Sequence, residues 1–430
     1  MKKNWRRNIS ILVATICLLV AIPPTNVFAS SYLDANASDI SSSFDWIDEG
    51  IYPVIPGDGI WEQLSYIQQL AAISMPEDKL DSYTTEELAQ WVLEYPFLID
   101  VLAFSTAEQA MDYFMRTSNI CREFFMREEA NDILLKEYGR LTVDYEMLSG
   151  KGVYESEPVF LNSGYTKELF LQTYFADKLE QLTEQEKEEL CSILEEKYIE
   201  KIGVCDNYSS ALLFYGFVQD EYGYIPEDVV PDAIATSDLF EASAVKVEDV
   251  GASINALNGS GFTDNGYLVV ANGGAVYKEG TYTLYGRTVY CLKYSGGDYL
   301  DLERAQEDAA CDSAHTSWTR VFSASRKYNC HSYAWIEASQ SNIYWMGDPD
   351  PFASSPSFSY ISRNGNASSG DRIIIRSSIG SAEHSLITTF GGNDINTIKT
   401  TSKFGRAGVY DAPLVDMMIY YKGNYYEVYR

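Results

Sequence analysis

Tyr328-Asn329-Cys330-His331-Ser332-Tyr333-Ala334-Trp335 carries a cysteine into a stretch, 331–339, that contains neither Gly nor Pro. Asn329 is a good capping residue, because its side-chain oxygen can accept an orphan amide of a first helical turn. A helix opening at Cys330 is therefore expected. Downstream, Gly370-Asp371 reads as a turn, Arg372 to Arg376 as a short apolar strand and Ser377 to Ala382 as a small-residue loop. His384 to Phe390 then reads as the next strand. Free amides and a helix dipole at Cys330 would favour thiolate, and an imidazole at the start of a nearby strand could serve as its base. The chain holds three histidines, His315, His331 and His384, so few such pairs can be built.

Cys330 is thus a candidate nucleophile and His384 a candidate base. The amides that favour thiolate could also donate to an oxyanion on an attacked carbonyl. The bland alternatives are a buried structural thiol and a half-buried strand histidine with a main-chain partner. A third group usually orients the imidazole. If Gly391 to Asp394 form the turn, Phe390 pairs with Ile395 and His384 falls opposite Thr401. Thr401 and Ser402 are then catalytic candidates, with Lys403 beside them and Asn393 or Asn396 in reach if the loop folds back. Asn329, His331, Asp371 and Lys403 are candidates to line the substrate side. His331 projects from a different side of the helix than Cys330, and His315 reads as a surface or capping residue.

The cysteine at a helix start, the Gly-Asp-hydrophobic strand and the His-Ser-Leu-Ile strand together resemble the NlpC-like branch of papain-fold cysteine peptidases. They also resemble the related cysteine-histidine amidase (CHAP) domains. Tyr328 to Trp335, with Thr401-Ser402-Lys403-Phe404-Gly405-Arg406-Ala407-Gly408-Val409-Tyr410 downstream, is similar to exported proteins of Gram-positive bacteria related to that branch. The resemblance spans roughly residues 265–415. It implies Cys330 as nucleophile, His384 as base and cleavage of amide bonds in cell-wall peptides, with no cofactor. The fold expected is α+β: a papain-like (NlpC-like) C-terminal domain with a small antiparallel sheet and an N-terminal catalytic helix, preceded by a mainly α-helical region. Ser82 to Leu88 and Tyr95-Pro96-Phe97-Leu98 resemble a segment of other exported Gram-positive proteins.

The chain start supports export. Lys2, Lys3, Arg6 and Arg7 precede an apolar run, Ile9 to Ile22, and Val27-Phe28-Ala29 is a small-residue cleavage site. Residues 1–29 therefore read as a signal peptide, too short to span a membrane comfortably, and no membrane association is expected after cleavage. Cleavage takes away those four basic residues and no acidic one, so the net charge of −30 becomes −34. So acidic a chain is a poor partner for nucleic acid. A peptide or peptidoglycan substrate and a secreted location are expected instead.

Residues 30–59 read as an exposed segment, 60–205 as a helical domain, 206–262 as a mixed region and linker, and 263–430 as the papain-like domain. Thr84-Thr85-Glu86-Glu87, Ser105-Thr106-Ala107-Glu108 and Thr183-Glu184-Gln185-Glu186 each look like a helix start that satisfies its own amides. After Gly266, aromatic and β-branched runs broken by Gly predict hairpins, and Leu302 to Cys311 a short helix. Cys291 and Cys311 are the pair to test for a disulfide. With no C-x-x-C spacing and three histidines, no metal site is expected. A rival reading makes the C-terminal domain a catalytically silent scaffold, an exported binding module.

Overall fold

The computed structural model describes residues 52–104, 106–143, 164–202, 261–271, 275–295, 298–299 and 301–430. The expected signal peptide, most of the N-terminal segment and nearly all of the 206–262 linker lie outside the described residues. The protein is α+β, with a helical N-terminal stretch and two antiparallel sheets.

The helical stretch comprises α1 (Tyr66–Ala72), α2 (Glu77–Leu80), α3 (Thr85–Leu93), α4 (Ala107–Thr117), α5 (Asn119–Phe125), α6 (Ala130–Arg140), α7 (Gly164–Lys178) and α8 (Glu184–Ile202). Thr84 caps α3 as its spacing requires: it accepts from Glu87 N (3.2 Å), and Glu87 returns to Thr84 N (2.8 Å). Thr183 and Glu186 close the same box at α8. At α4 the cap is Thr106, which accepts from Gln109 N. α7 buries Leu169, Phe170, Leu171, Tyr174 and Phe175 on several sides, as a helix at the centre of a bundle must.

The first sheet has the order β1-β2-β3-β5, where β1 is Gly261–Ala271, β2 Ala275–Leu284, β3 Arg287–Tyr294 and β5 Tyr344–Met346. Tyr285 and Gly286 both have positive φ (54° and 69°), the hairpin turn whose twist matches its strands. Gly280, expected to break a strand, lies inside β2, where a Cβ would come 2.1 Å from Thr263 O. Close strand approach, not a turn, requires that glycine.

The second sheet has the order β4-β10-β9-β8-β7-β11-β6. Its strands are β4 (Thr319–Phe322), β6 (Tyr360–Arg363), β7 (Arg372–Arg376), β8 (Ala382–Phe390), β9 (Lys399–Lys403), β10 (Val409–Pro413) and β11 (Tyr425–Tyr429). Four helices complete the chain: α9 (Asp301–Ala314), α10 (Cys330–Trp335), α11 (Asp350–Ala353) and α12 (Leu414–Tyr420). β7 is covered on both faces, with Ile373, Ile374 and Ile375 fully buried. Ile374 packs with Trp335, Met346 and Phe352 towards α10 and the first sheet. Ile373 and Ile375 join the large core on the opposite face.

That large core is continuous from the helical stretch into α12 and the second sheet. Polar bonds cross the same junction: Trp61 Nε1 donates to Ala314 O (3.1 Å), Gln69 to Thr316 (3.0 Å), and Arg406 N to Leu102 O (2.8 Å). The helical domain and the C-terminal domain expected from the sequence therefore do not have two separate cores. The Cys291–Cys311 bridge is not formed; both are free, buried thiols. Among the described residues no helix is long and apolar enough to cross a membrane, and no cluster suits a metal ion.

Candidate active site

Asn329 opens α10 as its type demands: its Oδ1 accepts from Ser332 N (3.1 Å), and the Ser332 hydroxyl accepts from Asn329 N (3.3 Å). The same amide clasps Met346 of β5 on both sides, donating to its carbonyl (2.8 Å) and accepting from its N–H (3.1 Å). Arg372 of β7 closes the other end, with Nε donating to Ala334 O (2.6 Å). Cys330 thus sits at the first residue of a short helix fixed to both sheets, and it is only 7% exposed.

β8 supplies the other half. Its ladder pairs Ile375 with His384 and Ile374 with Ser385. Alternation then sends the His384 ring towards the helical stretch and the Ser385 side chain towards α10. The Ser385 hydroxyl bonds His331 Nδ1 (2.8 Å) and accepts from Trp335 Nε1 (3.1 Å), pinning α10 to the strand. Thr388 N donates to Asp371 O, across to β7. By the same alternation the Ser385 amide faces the other edge, towards β9. The β8–β9 ladder stops at Ile387↔Thr401, so no strand takes that amide. The Cys330 thiol lies beside it, and the backbone N–H groups of Ser385, His331 and Cys330 itself pull its pKa down. The thiol therefore lies at the seam where β8 and β9 part, beside the residue that follows His384.

The electrostatics hold both groups neutral. Burial pushes the Cys330 thiol up to about 11, against the opposing pull of these amides and of Lys403. Burial also pushes His384 well below the ordinary histidine range, and His331 adds to the effect. His331 itself is pushed down to about 4, chiefly by burial. His384 is 1% exposed, lies against Tyr421, and its Nε2 has no hydrogen-bond partner.

The expected register needs correction. Thr401 pairs with Ile387, not with His384, because the β8–β9 ladder shifts between Thr388 and Phe390 and Phe390 pairs with Lys399. The ring nearest His384 on β9's continuation is Phe404, with centroids 5.8 Å apart. Ser402 is buried on the His384 face, but one strand repeat away and without a partner for its hydroxyl. No polar side chain orients the imidazole at Nε2.

The substrate-side candidates are turned inward. Asn329 spends its amide on the cap and Met346. Asp371, 2% exposed, accepts from Ser368 N (2.8 Å) and holds Arg430 through Nε (2.7 Å) and a terminal nitrogen (2.7 Å), near the Thr388 end of β8. Lys403 donates all three protons to main-chain carbonyls. His331 is bound to Ser385.

A second buried polar group was not foreseen. His315 Nε2 meets Asp100 Oδ1 (2.7 Å), and Tyr113 donates to Asp100 Oδ2 (2.5 Å) while contacting Tyr66 OH (3.1 Å). His315 stacks on Trp318 at 3.8 Å, and Trp318 Nε1 donates to Asp416 (2.9 Å). This network lies where the helical stretch meets α9 and α12, so His315 is an interior residue rather than a surface one. Its partners are distant in sequence, and no local pattern announces them.

No protein-family model, no curated protein and no solved structure matches the chain.

Proposed function

We propose that the protein is a secreted cysteine amidase or peptidase of papain-like, NlpC-like type, cleaving amide bonds in peptides such as those of peptidoglycan. The observation that carries the reading is Cys330 at the start of α10, which Ser385 holds through His331 (2.8 Å) and Trp335 (3.1 Å) at an opened strand edge, one residue from the buried His384. In this mechanism the His384 Nε2 takes the thiol proton as sulfur attacks the amide carbon. The N–H groups at the start of α10 stabilise the oxyanion. The C–N bond then breaks, the nitrogen leaves with the proton from imidazolium, and water hydrolyses the thioester. Because thiol and base are both held neutral, proton transfer accompanies attack instead of preceding it.

The test is amide turnover by the mature chain on purified peptidoglycan and its soluble peptides, read as newly released amines. Wild type is expected to release them, and Cys330→Ala and His384→Ala to lose at least about a hundredfold, the usual scale for a nucleophile or base. Equal release by Cys330→Ala would overturn the reading.

A second reading is favoured by the missing orienting group and by the closure of both side chains from solvent. In it the fold is a non-catalytic exported module that binds wall peptides. Retention of peptide binding by Cys330→Ala, with no release by wild type, would select it.

A further inference from the structure

We propose that Lys403 is a positioning residue for the nucleophile: its ammonium, caged at the β8–β9 seam, is the fixed charge that stabilises the Cys330 thiolate. The proposal rests on the reading of Cys330 as nucleophile.

The placement follows from register. Two residues beyond Ile387↔Thr401, the same pairing sets Ser385 against Lys403. Ser385 holds His331, the residue after Cys330, at 2.8 Å, so the thiol lies at the seam where a pairing across to Lys403 would have formed. Residues two apart share a face, so the Ser385 and Lys403 side chains both point towards α10.

Lys403 is fully buried. Its Nζ donates to Ser325 O (2.9 Å), Gly405 O (2.6 Å) and Ala407 O (2.6 Å), and lies 5.0 Å from the Tyr328 ring centroid. Three acceptors match the three protons of an ammonium, and a neutral amine would leave one unmet. Ser325 and Tyr328 belong to the loop that enters α10, so one cage sets the positions of both the charge and the thiol.

The groups around the sulfur leave this role open to few others. They are His331 on its own helix, Tyr421 after α12 and Lys403 from β9; His384 of β8 stacks on that same Tyr421. Both imidazoles are held neutral by burial. α10 has six residues, so its dipole is weak. Burial pulls Lys403 down to about 7, against the opposing pull of Asp298, Glu307, Cys330 and Asp308. The influence of lysine and thiol is mutual.

The test follows iodoacetamide alkylation of Cys330 against pH in the mature chain, assigned by peptide mapping. Lys403→Met is expected to move the profile to higher pH and lower the rate near pH 6 by roughly tenfold, the equivalent of one pKa unit. His384→Ala is expected to act on amide turnover instead. An unchanged profile in folded Lys403→Met overturns the role of Lys403 and leaves the hydrolase reading standing. A moved profile without wild-type turnover supports the charge coupling and sinks the hydrolase reading. Should Lys403→Met not fold, wild-type protein labelled with ¹⁵N-lysine serves. Carboxymethylation of Cys330 by iodoacetate, which puts an anion there, is expected to raise the Lys403 pKa relative to the neutral carbamidomethyl adduct. Equal titration of the two adducts overturns the proposal.

Discussion

The imidazole of His384 lies flat on the ring of Tyr421, with centroids 3.7 Å apart and planes 11° from parallel. Tyr420, one residue before, stacks on Phe104 of the helical stretch at 5.5 Å and 7°. The cover over the candidate base is thus held by residues from the other end of the chain. Tyr421→Ala is expected to speed Cys330 alkylation several-fold at fixed pH. It should also cost roughly 3 kcal/mol of stability, as the loss of a large buried ring does. Peptide-mapped alkylation and thermal unfolding read the two effects. A slower reaction would mean that Tyr421 shapes the site rather than closing it.

Arg116 of α4 holds the end of α12 from outside. Its two terminal nitrogens donate to Ile419 O (2.7 Å) and Tyr420 O (3.0 Å), carbonyls at the end of that helix, the first of which also accepts from Lys422 N (3.4 Å). Arg116→Ala is expected to cost about 2 kcal/mol, the scale for charged donors to buried acceptors. Amide exchange over 414–421 should accelerate more than exchange in β7; a uniform change across both would argue against a local clasp.

Asp416 gives the fold a pH dependence. Burial pushes its carboxyl up to about 6, against the bond from Trp318 and the nearby His315. A folded pKa raised above the unfolded value means that the native state holds the proton longer. Its contribution is full below about pH 4 and is lost as pH rises through about 6, to a total of roughly 3 kcal/mol. Asp416→Asn can still accept from Trp318 and should remove this part of the slope. Melting temperatures of both proteins between pH 4 and 7 decide it; identical slopes would assign the dependence to other groups.

Gly405 marks a close approach of the helical stretch to the loop between β9 and β10. It has φ +46°, and a Cβ there would lie 2.6 Å from Leu102 O and from Ala103 C and O. Gly405→Ala is expected to cost about 3 kcal/mol, combining left-handed strain with displaced backbone. Gly57, at φ +92° with open space around it, is the control: alanine there should cost only about 1 kcal/mol. Urea midpoints compare the two.

Much of the local structure was legible. Asn329 before a Gly- and Pro-free run marks the start of α10, and the isoleucines of Arg372–Arg376 mark a strand buried on both faces. Two of the three capping signatures close as written; the third starts one residue later, at Thr106. Register was not legible. It depends on a shift between Thr388 and Phe390 and on Gly392 pairing aside with Ala367, neither of which leaves a periodic trace. Lys403 reads as a substrate-side candidate from its place beside Thr401 and Ser402; only the folded chain brings three carbonyls around it. The Asp100–His315 contact joins residues 215 apart in sequence, beyond the reach of any local pattern.

The packed interior that runs from Tyr52 to Val428 has a consequence for the integrity of the molecule. The peptide linkage through 203–260 is not what keeps the two stretches together. A chain cut there after folding should still travel as one particle in native buffer and come apart only in denaturant. Either half made alone would present a bare apolar wall to water and precipitate or seek its mate. Two lengths of polypeptide here share a single mechanical fate.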